Sequence, residues 1–104
     1  MLLADLEPAA GHEQGRRPVL VLSGPSYNDL RNEQLIVAAI TSRQRGLFFN
    51  IPVGEDAGLL TPSWVQSESV RAISAQRVIR QLGHARPQTV AEVRNRVSNF
   101  LRDW

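Results

Sequence analysis

The chain contains no cysteine, no lysine and no long apolar run. Without cysteine, disulfides and thiolate metal sites are excluded, and the chain suits a reducing cytoplasm. The longest uninterrupted apolar run, Leu35 to Ile40, is too short to span a bilayer. Met1-Leu2-Leu3-Ala4-Asp5 has no basic region and meets an acid at once, so it does not read as a signal peptide. Without lysine there is no Walker-type phosphate loop, and no Gly-x-Ser-x-Gly elbow is present. The two histidines, His12 and His84, stand far apart with no acidic pair beside either, so no metal site is expected. Of the ten carboxylates only Glu55 and Asp56 are adjacent, and a solvated turn explains them better than a bound ion. No cofactor is expected.

What is present is an ordinary globular composition, 42% hydrophobic and 21% charged, in 104 residues. That length and balance predict one domain over 1–104 with a modest core. All twelve basic residues are arginine, in a chain of net charge +2. Arginine's planar fork matches phosphate geometry, so the choice suits anion recognition. A genome-wide codon bias would give the same composition. A net charge of +2 is too small to imply nucleic acid, and where the arginines cluster matters more.

The stretch Gly11 to Ser23 organises the rest. Its first half, Gly11-His12-Glu13-Gln14-Gly15-Arg16-Arg17, is a polar turn with a carboxylate, an amide and two guanidinium groups. Its second half, Pro18-Val19-Leu20-Val21-Leu22-Ser23, is an apolar run of buried-strand length. Arg17 thus sits where a loop enters a strand, the kind of place where binding and catalytic groups concentrate. A turn whose arginines merely pair with Glu13 is an equal reading of the same residues.

Along the chain, residues 2–6 read as a short edge strand and 18–23 as a second strand. One helical turn is expected over Ser26 to Arg31, capped by Ser26 or Asn28. Residues 35–40 form a third strand, apolar on both faces and therefore central. A polar exit from Thr41 to Gly46 leads to a strand over Leu47–Val53, then a loop over 54–63. Trp64 to Ile73 reads as a strand with one polar face, and 78–82 as the last strand. Val90, Val93, Val97, Phe100, Leu101 and Trp104 recur at helical spacing and make one apolar stripe. Pro87 suits the first turn of that helix, whereas Thr89 with Glu92 resembles a capping box starting slightly later. Five or six short strands and one terminal helix predict a mainly β fold: a small, curled antiparallel sheet or barrel closed on one side by the helix.

With other chemistries set aside, arginine and hydroxyl remain. If Arg17 starts one strand and Thr41 ends its antiparallel neighbour, both come to the same end of the sheet. A guanidinium and a hydroxyl facing one point can hold a phosphate, and their donors strengthen as charge grows on its oxygens. The commoner fate of such a threonine is to satisfy local backbone, and Arg43 and Arg45 read equally as a solvated turn.

The segment Gly11-x-Glu13-Gln14-Gly15-x-Arg17-Pro18-Val19-Leu20-Val21-Leu22-Ser23, followed by Ile36-Val37-Ala38-Ala39-Ile40-Thr41-Ser42, resembles the MazF/PemK family of toxin endoribonucleases. Val65-x-x-Glu68-x-Val70-Arg71-x-Ile73 and Leu82-Gly83-x-x-x-Pro87-x-Thr89 are similar to that family's distal motifs. The resemblance runs over nearly the whole chain in the right order.

It implies an SH3-like barrel, a cytoplasmic homodimer, and sequence-specific, metal-independent cleavage of single-stranded RNA such as mRNA. It also implies a cognate antitoxin that binds through an acidic, partly disordered segment. Arg17 matches the family's catalytic arginine, Thr41 its catalytic threonine and Glu13 an acid of the same loop. His12, Gln14, Arg16, Ser42, Arg43, Arg45, Glu68 and Arg71 are the residues expected along the RNA. Glu68 stands where the family has Asp or Glu facing the RNA groove, and Ser69 stands where it commonly has glutamine. The implied reaction is attack of a ribose 2′-hydroxyl on the adjacent phosphate, giving a 2′,3′-cyclic phosphate and a 5′-hydroxyl. Glu13 and His12 are both candidates for the base. Two rivals are a CcdB-like non-nuclease toxin that poisons DNA gyrase, given the terminal Asp103-Trp104, and a barrel that binds RNA without cutting it.

Overall fold

The computed structural model describes residues 1–6, 15–28, 33–54, 58–59 and 61–102. Its elements are β1 (Leu2–Leu6), β2 (Gly15–Val21), a short helix α1 (Pro25–Asn28), β3 (Gln34–Thr41), β4 (Asn50–Val53), β5 (Ser63–Ser74), β6 (Val78–Gln81) and the C-terminal helix α2 (Pro87–Arg102). The six strands form one antiparallel sheet in the order β4-β5-β3-β2-β1-β6. The mainly β, SH3-like reading with a C-terminal helix therefore holds. No helix among the described residues is long and apolar enough to cross a membrane.

The central position of β3 follows from its residues. Val37 is buried on one face of the sheet, while Ala38 and Ile40 are buried on the other. The same alternation divides β2, where Val19 joins the first group and Leu20 the second. The larger cluster includes Leu20, Ala38, Ile40, Ile51, Val53 and Val65, and α2 covers it through Val93, with Val90 and Val97 packed alongside. The smaller cluster is Ala4, Leu6, Val19, Val37 and Ile73. Arg94 Nε donates to the carbonyl of Leu22 at 2.8 Å and ties the helix to the end of β2.

Four sequence expectations need correction. β1 is not an edge, because it pairs with β2 on one side and β6 on the other; the edges are β4 and β6, whose brevity limits exposed backbone. β4 starts at Asn50 rather than Leu47, because residues 47–49 form a turn closed by the Asn50 N–H donating to the Leu47 carbonyl at 3.0 Å. The helical turn after β2 starts at Pro25, so Asn28 lies inside it instead of capping its start; residues 29–31 of the expected turn lie outside the described residues. The Asn28 side chain reaches back, accepting from Ser23 Oγ at 2.6 Å and donating to the Ser23 carbonyl at 3.2 Å. Leu101, assigned to the apolar stripe, is 73% exposed in the last turn of α2, and Trp104 lies outside the described residues. Pro87 does begin α2, where its missing N–H costs nothing.

β5 is interrupted. Its pairing to β3 runs from Gln34↔Ser74 to Ala38↔Val70, then resumes at Ile40↔Val65. Gln66, Ser67, Glu68 and Ser69 thus stand against Ala39 alone, an enlarged bulge. The surplus is odd, so the side-chain phase inverts across it. Val65 belongs to the helix-side cluster, but Ile73, also odd-numbered, belongs to the opposite one. Nearby, Gly58 has φ +85 and lies so close to the Leu82 carbonyl that any Cβ there would run into it.

Candidate active site

Val19 pairs with Ala39, Leu20 with Ala38 and Val21 with Val37. Continued toward the start of β2, this register sets Arg17 opposite Thr41. Both belong to the face that carries Val19 and Ala39. They line one cavity of about 170 Å³ together with Arg45, Gln66 and Ser69, over Leu6, Ala39 and Ile40. Arg17 is the third residue of β2, not the last of a loop, because the strand begins at Gly15. Its backbone is fixed by pairing with Ala4 of β1.

Thr41 Oγ1 accepts a hydrogen bond from the Arg43 backbone N–H at 3.1 Å. This is the local backbone role common for a strand-end threonine. It uses an oxygen lone pair, however, and the hydroxyl still has its own proton to donate. One group therefore both shapes the strand exit and offers a donor to the cavity.

Arg45 arrives on the segment between β3 and β4. The far end of that segment is fastened to α2. The Phe49 ring meets Phe100 edge-on at 5.5 Å and Phe48 at 5.1 Å. Arg96 Nε donates to the Phe48 carbonyl at 3.4 Å, and its guanidinium lies 5.8 Å from the Phe48 ring. The helix that closes the core thus also holds the segment carrying a cavity arginine.

The remaining candidates fall elsewhere. Arg16, one residue from Arg17, points to the opposite face by strand alternation and lies across from Asp5. Ser42 and Arg43 are exposed on the turn after Thr41 and are not among the cavity's lining residues. Glu68 does not line the cavity either. It sits in the bulge, where its carboxylate accepts from Asn50 Nδ2 at 3.2 Å. Arg71, beyond the bulge, lines a second cavity that shares Ser69 with the first. His12, Glu13 and Gln14 lie outside the described residues. Among the described residues, no three His, Asp or Glu side chains form a group that could hold a metal ion.

Gln66 and Asn50 carried no assigned role in the sequence reading. Gln66 lines the cavity from the first position of the bulge and Ser69 from its last. Only the bulge's position could have revealed this, and the local composition does not mark it.

A curled antiparallel sheet closed by one helix, with two arginines and a strand-end hydroxyl around one cavity, defines a small β protein suited to hold an anion. The family model for PemK-like, MazF-like toxins of type II toxin–antitoxin systems matches residues 1–101, and the chain belongs to that family. It is therefore a toxin of the type II class, in a family of endoribonucleases. Among solved structures, it is similar to MazF from Deinococcus radiodurans, with 32% identity and a TM-score of 0.81 over 96% of this chain and 90% of that one. It is also similar to the Mycobacterium tuberculosis toxin MazF-mt6, with 28% identity and a TM-score of 0.80 over 99% of this chain and 97% of that one. A MazE-MazF structure from Deinococcus radiodurans matches with 26% identity and a TM-score of 0.77 over 97% and 89% of the two chains. No curated protein matches the chain.

Proposed function

We propose that this toxin cleaves single-stranded RNA at specific sequences without a metal ion, using the substrate's own 2′-hydroxyl as nucleophile. The observation that carries the reading is the convergence of Arg17, Thr41 and Arg45 on one cavity. The scissile phosphate lies in that cavity. The 2′-oxygen attacks phosphorus, the bond to the 5′-oxygen breaks, and a 2′,3′-cyclic phosphate and a 5′-hydroxyl result. Proximity of the 2′-hydroxyl supplies much of the rate.

The roles follow from donor chemistry. Arg17, fixed in a paired strand, holds a phosphoryl oxygen and stabilises the charge that grows on it, and is the assigned source of the proton taken by the leaving 5′-oxygen. Thr41 donates its hydroxyl proton to a second phosphoryl oxygen. Arg45 adds a second guanidinium to the same cavity. Arginine's high pKa makes it a poor base, so the proton leaving the 2′-hydroxyl goes to Glu13 or His12. The same cavity is where an acidic, partly disordered antitoxin segment would compete with RNA. The toxin acts in the cytoplasm as a homodimer, whose isologous two-fold extends the groove beyond what one sheet offers.

The test is an RNA cleavage gel run with excess EDTA on the parent chain, Arg17→Ala and Arg16→Ala. The parent cuts. Arg17→Ala loses about 10²–10³ in rate, the usual cost of one preorganised donor. Arg16→Ala, on the other face, weakens RNA binding only. Equal residual activity in the two variants contradicts the assignment. RNA binding without any cut favours the non-catalytic barrel.

A further inference from the structure

Beside the Arg17–Thr41 cavity lies a second one, of about 160 Å³, lined by Leu6, Val19, Val37, Ala39, Val70, Ser69 and Arg71. The two share Leu6, Ala39 and Ser69. They belong to one face of the sheet: Arg71 pairs across from Val37, and Val19 from Ala39. Their chemistry differs sharply. The first carries two arginines, two hydroxyls and an amide. The second has an aliphatic floor built on the smaller core cluster, with a single arginine and a single hydroxyl at its rim.

We infer that this second cavity receives the base of a nucleotide flanking the scissile phosphate and selects keto bases, uracil foremost, over cytosine and adenine. The inference rests on the nuclease reading and adds to it a specificity-determining pair, Ser69 and Arg71. An aliphatic floor rejects a phosphate but accepts the flat face of an unstacked base. The volume equals that of roughly five waters at about 30 Å³ each, which suits a single ring better than a whole nucleotide.

The rim decides which base enters. Arg71 can only donate hydrogen bonds, while the Ser69 hydroxyl can accept as well as donate. Uracil presents a carbonyl acceptor next to an N–H donor, and guanine presents the same pattern on the corresponding edge. Cytosine and adenine present an amino donor next to a ring nitrogen acceptor. A keto base therefore gives its carbonyl to Arg71 and its N–H to Ser69. An amino base in the same place sets its amino group against a guanidinium. The bulge makes this arrangement possible, because its odd surplus turns Ser69 and Arg71 to the face of Arg17 and Thr41.

The experiment is cleavage of a randomised RNA library by the parent chain, Arg71→Gln and Ser69→Ala, with every cut site sequenced. Uracil, then guanine, is expected to dominate at one of the two positions flanking the cut. Arg71→Gln reduces that preference about ten-fold, a usual range for one good base contact, and leaves preferences at other positions in place. Ser69→Ala reduces it by less. Both side chains are exposed, so neither change threatens the fold. An amino base at both flanking positions, or a preference unchanged in both variants, overturns the inference. A parent chain that cuts nothing overturns the nuclease reading instead. The cavity is then tested by binding of 2′-fluoro tetranucleotides, which lack the nucleophile: tighter binding of uracil than cytosine, lost in Arg71→Gln, supports base selection, and equal binding overturns it.

Discussion

The two faces of the sheet are built from the same strands yet serve different ends. On one, Leu20, Ala38, Ile40 and Val65 are sealed by α2 through Val93. On the other, Val19 and Val37 are equally buried, but they floor a cavity that carries Arg71, next to the one that carries Arg17 and Arg45. Neighbouring residues thus divide the work: Leu20 is a stability residue and Val19 supports a site. The rigid, helix-covered face fixes the backbone whose other face presents the polar groups, which is how a small domain holds donors in place without a large core.

The widest separation between the faces is expected from Leu20→Ala. It removes buried methyl groups from the helix side and should lower unfolding free energy by about 2–5 kcal/mol. The specific cleavage rate of the molecules that remain folded should not change. Denaturant titration alongside single-turnover cleavage reads both quantities. A large drop in chemistry at full folding would mean that the faces are coupled rather than separate.

Thr41→Val probes the cavity face with nearly constant volume. It removes the hydroxyl that the proposed mechanism sets on the phosphate, together with the acceptor for the Arg43 N–H. A rate loss of about 10² is expected, with RNA affinity changed much less, since the interaction strengthens in the transition state. A change confined to KM would place Thr41 in binding alone.

The smallest effect, and one of opposite sign, concerns the bulge. Ser67 is 1% exposed, and its hydroxyl has no hydrogen-bond partner among the described residues. Ser67→Ala should therefore raise stability by about 1 kcal/mol or leave it unchanged, because an unsatisfied buried hydroxyl is costly. A clear loss of stability would reveal a buried water or another partner held at the bulge.

How much of this was legible in the sequence depended on whether the physics was local. Leu35–Ile40 reads as a central strand because it is apolar on both faces, and that is its place. The spacing of Val90, Val93 and Val97, with Pro87 before them, marks α2 for the same reason. The meeting of Arg17 and Thr41 could be anticipated because antiparallel neighbours share an end. The surplus in β5 could not. Trp64 to Ile73 contains a phase inversion, but its apolar residues, Val65, Val70 and Ile73 among them, show no periodicity that marks where it falls. Hence the sequence assigns Gln66 no role and marks Ser69 only as a departure from the family. Arg45's place likewise depends on Phe49 and Phe100 meeting across half the chain, a contact that no spacing encodes.

The proposed mechanism has Arg17 and Thr41 acting on a phosphate attacked by its own ribose. It is tested most directly by one oligonucleotide carrying a single 2′-deoxy substitution just before the cut, assayed beside its all-ribose twin in excess EDTA. The all-ribose strand should be cut to a 2′,3′-cyclic phosphate, and the substituted strand should bind but stay intact. Cleavage of the substituted strand, or cleavage of the parent that stops in EDTA and returns with magnesium, would make water the nucleophile and contradict the roles assigned to both residues.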